Sequence, residues 1–297
     1  MDRFIIGIAI LLSALALIGA AIWEQPGVET TAAAPAPTPS PAPVQRAQTA
    51  PGTAAPMAPA ATLAEQVDAL IATRDPQKAW EAYRLLADCT SFNRDGDRLI
   101  FEEEGALPKN DGALPGFRAM TEPEKRRDAV LCAAMTERMR QSRIDYLTIA
   151  ARAGIPGAAI AQVSEGPFGD RSALKTRPDD PLVQAWKTQV QEQLARIAEE
   201  QADVGVLSYL SAMRTVGSDV FEKDPALAYR YGVAMGLIMQ ELVGADNELA
   251  RSYRADGGLM ENAASTLTMQ ERAAQLAQAQ RIADTARLRR QRELARP

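Results

Sequence analysis

Three Asp-Pro pairs, Asp75-Pro76, Asp180-Pro181 and Asp224-Pro225, constrain this chain more than any other feature. Aspartate accepts hydrogen bonds from the free amides at a helix start, and proline suits the first helical position, where its missing N–H costs nothing. Each pair is followed by an alanine and an aromatic ring. Ala79-Trp80 and Ala228-Tyr229 share one spacing, and Ala185-Trp186 comes a residue later. A capped start, a small residue for close approach and a large ring for the neighbour's groove describe helices made to pack on helices.

The stretch from Gln201 to Gln240 is the fullest example. It reads as two short helices joined by a polar turn containing Gly217 and Lys223-Asp224-Pro225, with small residues at Ala202, Gly205, Ala212, Ala228 and Ala234. A hairpin of this size cannot bury its apolar face alone, so it implies neighbours of the same construction. Aromatics are scarce, and Val, Ile and Thr never gather into alternating runs, so strand content should be low. The 297 residues suffice for a sizeable core.

Other helix starts punctuate the chain. Thr62 with Glu65, Thr121 with Glu124 and Thr268 with Glu271 have the capping-box spacing. A helix is expected to run from the first of these to about Arg74, and another from Pro76 to near Cys89, carrying Ala87 on its apolar side. An irregular stretch from Thr90 to Met120 follows. The Thr121 helix should continue through Val130 to Met139, and the next should span Ile144 to Ala153, then Pro156 to Val163. The longest helix is expected from Asp180 to about Ala202, with Leu182, Trp186, Val190, Leu194 and Ile197 as one apolar stripe. The last should pack through Leu276, Ala279, Ile282 and Leu288.

The N-terminus is of another kind. Phe4 to Trp23 is an uninterrupted apolar run of bilayer-spanning length, ending in an aromatic suited to the interface. Its length and its weakly basic flank favour an uncleaved anchor over a cleaved signal, and either one exports the remainder. Residues 24–61 are dominated by Pro, Ala and Thr and read as an extended, disordered spacer. The expected organisation is therefore 1–23 membrane segment, 24–61 linker and 62–297 helical domain.

Several chemistries drop out. The chain has no histidine, which removes Ser-His-Asp and Cys-His catalysis and the commonest transition-metal ligand. Two cysteines cannot make a cysteine-rich zinc site. A net charge of −5 argues against nucleic acid as a partner, and the arginines near the C-terminus read as the solvated, dipole-matched end of a helix. Asn93, Asp95, Gly96, Asp97 and Glu102 approximate a calcium loop, but Ser91 stands at its first position and Arg98 where an aliphatic residue belongs. Glu102, Glu103 and Glu104 are consecutive, so they point in different directions and read as a solvated acidic run. No cofactor, metal or catalytic residue is assigned. Cys89 and Cys132 fall on apolar faces of helices expected to be neighbours. In an exported chain an even cysteine count favours a disulfide between them over two buried thiols.

A second recurrence links Ala150-Ala151-Arg152-Ala153-Gly154 with Ala158 to Ala202-Asp203-Val204-Gly205 with Ser208. With Ala202, Gly205, Ala212, Gly217, Lys223, Asp224, Ala228 and Tyr229, the chain resembles the Sel-one-like repeat family, relatives of tetratricopeptide repeats. The unit from Ala150 to Ala185 is degenerate, with an insertion before Asp180 and no Lys-Asp. The resemblance implies an all-α fold, a short right-handed solenoid of helical hairpins. It also implies a non-enzymatic scaffold that binds another envelope protein or peptide. With residues 4–23 in the bilayer, the expected location is the bacterial inner membrane, single-pass, with the bulk in the periplasm. Two alternatives are a carboxylate-based cell-wall hydrolase and a structural component of an envelope or secretion assembly.

Overall fold

The computed structural model describes residues 61–101, 117–256 and 258–295. The expected membrane segment, the linker up to residue 60 and Glu102 to Glu104 lie outside them. Among the described residues no helix is long and apolar enough to cross a membrane.

The described chain is all-α apart from one short strand pair. Helix α1 (Leu63–Ile71) and α2 (Pro76–Asp95) lead to β1 (Leu99–Phe101), which pairs antiparallel with β2 (Phe117–Ala119). Then come α3 (Glu122–Ala133), α4 (Glu137–Arg152), α5 (Pro156–Glu165), a tight turn at Pro167–Gly169 and α6 (Ala173–Thr176). Helix α7 (Pro181–Arg196) runs into a π-helical turn (Ile197–Gln201), followed by α8 (Val204–Val216) and α9 (Pro225–Val243). Two short helices, α10 (Glu248–Ser252) and α11 (Leu259–Ala264), precede the long α12 (Met269–Leu294).

The expected caps form. Asp75, Asp180 and Asp224 accept from the amides of Gln77, Leu182 and Leu227 at 2.8–2.9 Å. The capping boxes close reciprocally: Thr62 and Thr268 donate their amides to Glu65 and Glu271 at 2.7 and 2.8 Å, and accept in return.

Elsewhere the boundaries differ from those the sequence suggests. Helix α2 does not stop near Cys89; it continues to Asp95, because Cys89 and Phe92 are buried with Leu63, Leu86 and Cys132 in one cluster. The following stretch is not wholly irregular, since β1 and β2 pair within it. The expected helix through Met139 is broken at Ala134–Thr136, where Thr136 accepts from the Met139 amide at 3.2 Å and starts α4. In α7 the buried stripe begins at Val183, and Leu182 is 64 % exposed. Ala185 is exposed as well, so the second Asp-Pro unit lacks the close approach of the other two. The helix does reach Ala202 as expected, with its last turn π-helical (Ile197–Gln201) and Ala202 turning the backbone at φ +49°. In α12 the packed residues are Ala279, Ile282, Ala283 and Ala286, while Leu276 and Leu288 face solvent.

Packing proceeds between neighbours. Helix α2 lies on α4, α4 on α5, α5 on α7 and α8, α8 on α9, and α9 on α12. A large core runs from α5 to α12, and two smaller clusters hold α1 to α4. Helix α9 is central because glycines let the short helices press onto it. A Cβ at Gly236 would lie 2.5 Å from the Tyr253 carbonyl oxygen, and one at Gly232 would lie 2.2 Å from Met260 Sδ.

Candidate binding cleft

The concavity with the most uncommitted chemistry, about 490 Å³, opens between α4, α5 and α7 beside the Pro167–Gly169 turn. Its walls are fixed from below. Gln193 of α7 donates to the Ala151 carbonyl at the end of α4, and Gln201 donates to the Gly154 carbonyl at 3.3 Å. Trp186, the ring after the second Asp-Pro pair, forms part of the buried wall.

One rim is a stripe on α4. Gln141, Asp145, Thr148 and Arg152 are spaced four, three and four residues apart, so they share a face over roughly 16 Å of helix. Gln189 of α7 stands on the cleft as well. Neither the Asp145 nor the Arg152 side chain makes a hydrogen bond or ion pair among the described residues.

Gln162 of α5 lines the cleft and is 8 % exposed, yet its Oε1 is buried with no donor. Buried acceptors are nearly always paired, so such an atom calls for a physical account. Its neighbour Glu165 is fully engaged. Tyr83 Oη donates to Oε1 at 2.8 Å, and Arg143 Nη2 donates to Oε2 at 2.6 Å. Burial, reinforced by the charge of Glu165, pushes the Tyr83 hydroxyl pKa well above the usual phenol value. This triad ties α2, α4 and α5 together beneath the cleft.

Phe168 stands at the cleft, 60 % exposed, with φ +57° and ψ 22°. The turn that carries it is pressed onto α4, since a Cβ at Gly169 would lie 2.8 Å from Ile144 Cγ1. A phenylalanine in left-handed backbone is strained, and here burial does not compensate for the strain.

A second concavity, about 720 Å³, lies over the Cys89–Cys132 disulfide and is partly lined by Leu85 and Leu131. Its charged wall is internally paired. Arg98 donates to the buried Asp128 at 3.0 Å and approaches Asp88 at 3.4 Å. Burial raises the Asp88 pKa, and Arg98 opposes that rise. Among the described residues the other acid with a raised pKa, the half-buried Asp203, is spent as the α8 cap and accepts from the Val206 amide at 2.9 Å.

The repeat-motif residues are brought together, but as packing within the α8–α9 hairpin. Gly205, Ala228 and Tyr229 are buried, Ala212 is half-buried, and Ala202 and Gly217 occupy the turns at either end of α8. Asp224 caps α9, and Lys223 is exposed. The Ala228 carbonyl accepts from Ser211 at 2.9 Å, and the Tyr229 hydroxyl donates to the Ala255 carbonyl at 3.2 Å. Cys89 and Cys132 are bonded to each other. Asn93 and Asp95 fall in the last turn of α2, where Asn93 donates to the Cys132 carbonyl and Asp95 pairs with Arg94. Asp97 pairs with Lys125.

Sequence reasoning missed Gln162 and Phe168. The one available signal was Gly166-Pro167-Phe168-Gly169, a large aromatic inside a turn otherwise made of turn-formers. No protein-family model, curated protein or solved structure matches this chain.

Proposed function

We propose that this protein is a membrane-tethered interaction scaffold. It is a short right-handed solenoid of degenerate Sel-one-like hairpins, anchored through residues 4–23 and carried into the periplasm on the 24–61 linker. It binds another envelope protein or a peptide from one, and performs no catalysis. Helices pack pairwise along the chain, α2 on α4, α4 on α5, α5 on α7 and α8, and α8 on α9, in the manner of stacked hairpins. The Cys89–Cys132 disulfide suits an oxidising compartment.

The observation that carries the reading is the open cleft between α4, α5 and α7. It offers amides, two unpaired opposite charges and an exposed ring, while the acids with raised pKa elsewhere are occupied by Arg98 or by a helix cap. Such a surface suits recognition.

The test is site-specific photo-crosslinking in cells on the full-length chain, with probes spread over every face of the helical domain. The expected result is one identified envelope protein captured repeatedly and captured reciprocally when the probe is moved onto that partner. Absence of any protein adduct, together with hydrolysis of envelope polymers by the purified chain, overturns the scaffold.

A further inference from the structure

We propose that the cleft between α4, α5 and α7 takes an extended peptide segment, with Gln162 bonding its main chain and Phe168 covering one apolar side chain. The inference rests on the scaffold reading and adds the surface and the chemistry of the ligand.

Three independent features point the same way. The first is the orphan acceptor. Gln162 Oε1 is buried at the cleft without a donor, and a peptide N–H supplies one. A carboxamide can accept from an N–H and donate to a carbonyl, which matches both halves of a peptide unit.

The second is Phe168. A strained backbone holds its ring in the open, with Gly169 allowing the turn to sit against Ile144. Strain kept at an exposed aromatic is a mark of a site whose return comes on binding. An apolar ligand side chain laid on the ring would bury it.

The third is charge. Asp145 and Arg152 lie two turns apart on one face of α4, both without partners. Their helical separation is roughly 10 Å, which an extended chain spans in about three residues. The complementary segment therefore carries a basic side chain beside Asp145 and an acidic one about three residues away beside Arg152. A neutral oligosaccharide is the weaker fit, because it carries no charges to pair with Asp145 and Arg152.

The experiment uses the full-length chain in lipid nanodiscs, immobilised for selection from a random linear-peptide phage library. The expected outcome is one enriched family with the basic-to-acidic spacing and an apolar residue between. A synthetic member should bind roughly tenfold more weakly to Phe168→Gly and to Gln162→Met. Gln162→Met should keep or raise the melting temperature, because it removes an unpaired buried acceptor; a purely structural glutamine would lower it. The double exchange Asp145→Arg with Arg152→Asp should reverse the preferred charge order. Failure to enrich a family overturns the proposal. So does unchanged affinity in both single variants, or displacement of the peptide by soluble envelope glycan strands. If cellular crosslinks form from other faces while the selection fails, the cleft proposal falls and the scaffold stands.

Discussion

The Tyr83 hydroxyl donates a 2.8 Å hydrogen bond to Glu165 across 82 positions of sequence, and Arg143 holds the other carboxylate oxygen at 2.6 Å. Tyr83 also stacks on Trp80, the ring that follows the first Asp-Pro pair, with centroids 5.3 Å apart. The first capped helix is thereby locked to the base of the cleft. Tyr83→Phe removes one partly buried bond but leaves Glu165 paired with Arg143. It should lower stability by about 1 kcal/mol in urea titration. Glu165→Ala strands both Tyr83 and Arg143 and should cost about 2–4 kcal/mol.

Stability should fall at alkaline pH for a reason rooted in the core. Burial pushes the Tyr209 and Tyr231 hydroxyls up to about 12, and Tyr83 is also driven upward. In the unfolded chain a tyrosine ionises near pH 10, so above about 10 the unfolded state has lost protons that the native state keeps. This contribution is fully present below about pH 10 and is lost as pH rises toward about 12. Calorimetric melting temperatures should be flat up to about pH 9.5 and then decline steeply. Phenylalanine at Tyr209 or Tyr231 should soften the decline.

The helix starts were legible because each is a local event. Asp75, Asp180, Asp224, Thr62 and Thr268 cap with atoms at most three residues away, so spacing alone reveals them. Helix ends and packing registers depend on distant partners. Helix α2 runs past Cys89 because Phe92 finds Leu63 and Cys132, and α7 buries Val183 where the four-residue spacing had suggested Leu182. Gly232 and Gly236 carry no local signal, yet they are the places where Met260 and Tyr253 come down onto α9. The cleft was the least legible feature. Gln141, Gln162 and Gln189 sit on three helices and meet only through tertiary packing.

The two α9 glycines should respond differently to alanine. In a free helix either change would gain about 1 kcal/mol. At Gly236 the new Cβ meets a backbone carbonyl, Tyr253 O at 2.5 Å, which cannot rotate away. Gly236→Ala should therefore destabilise by about 1–3 kcal/mol net. At Gly232 the obstacles are the Met260 thioether and the Ser211 hydroxyl, both ends of side chains that can turn. Gly232→Ala should be the milder of the two. Chemical denaturation of both variants decides the order, and equal losses would refute the backbone argument.

The Cys89–Cys132 bridge closes a loop of 43 residues that contains both strands and most of α3. Because it restricts the unfolded chain, its removal as Cys89→Ala with Cys132→Ala should cost about 3–4 kcal/mol. Both cysteines are buried, so the native protein should resist mild reductant, and thiol labelling should follow unfolding rather than precede it. The loss should also be uneven. The region around α3 depends on a small cluster, Leu63, Leu86, Phe92, Met120 and Met135, with Asn93 bonding the Cys132 carbonyl, whereas α8, α9 and α12 share a core that contains neither cysteine. Hydrogen exchange on the double variant should accelerate in α1, α3 and the strand pair well before it does in α9. Uniform acceleration throughout would mean that the disulfide supports the whole domain as one cooperative unit.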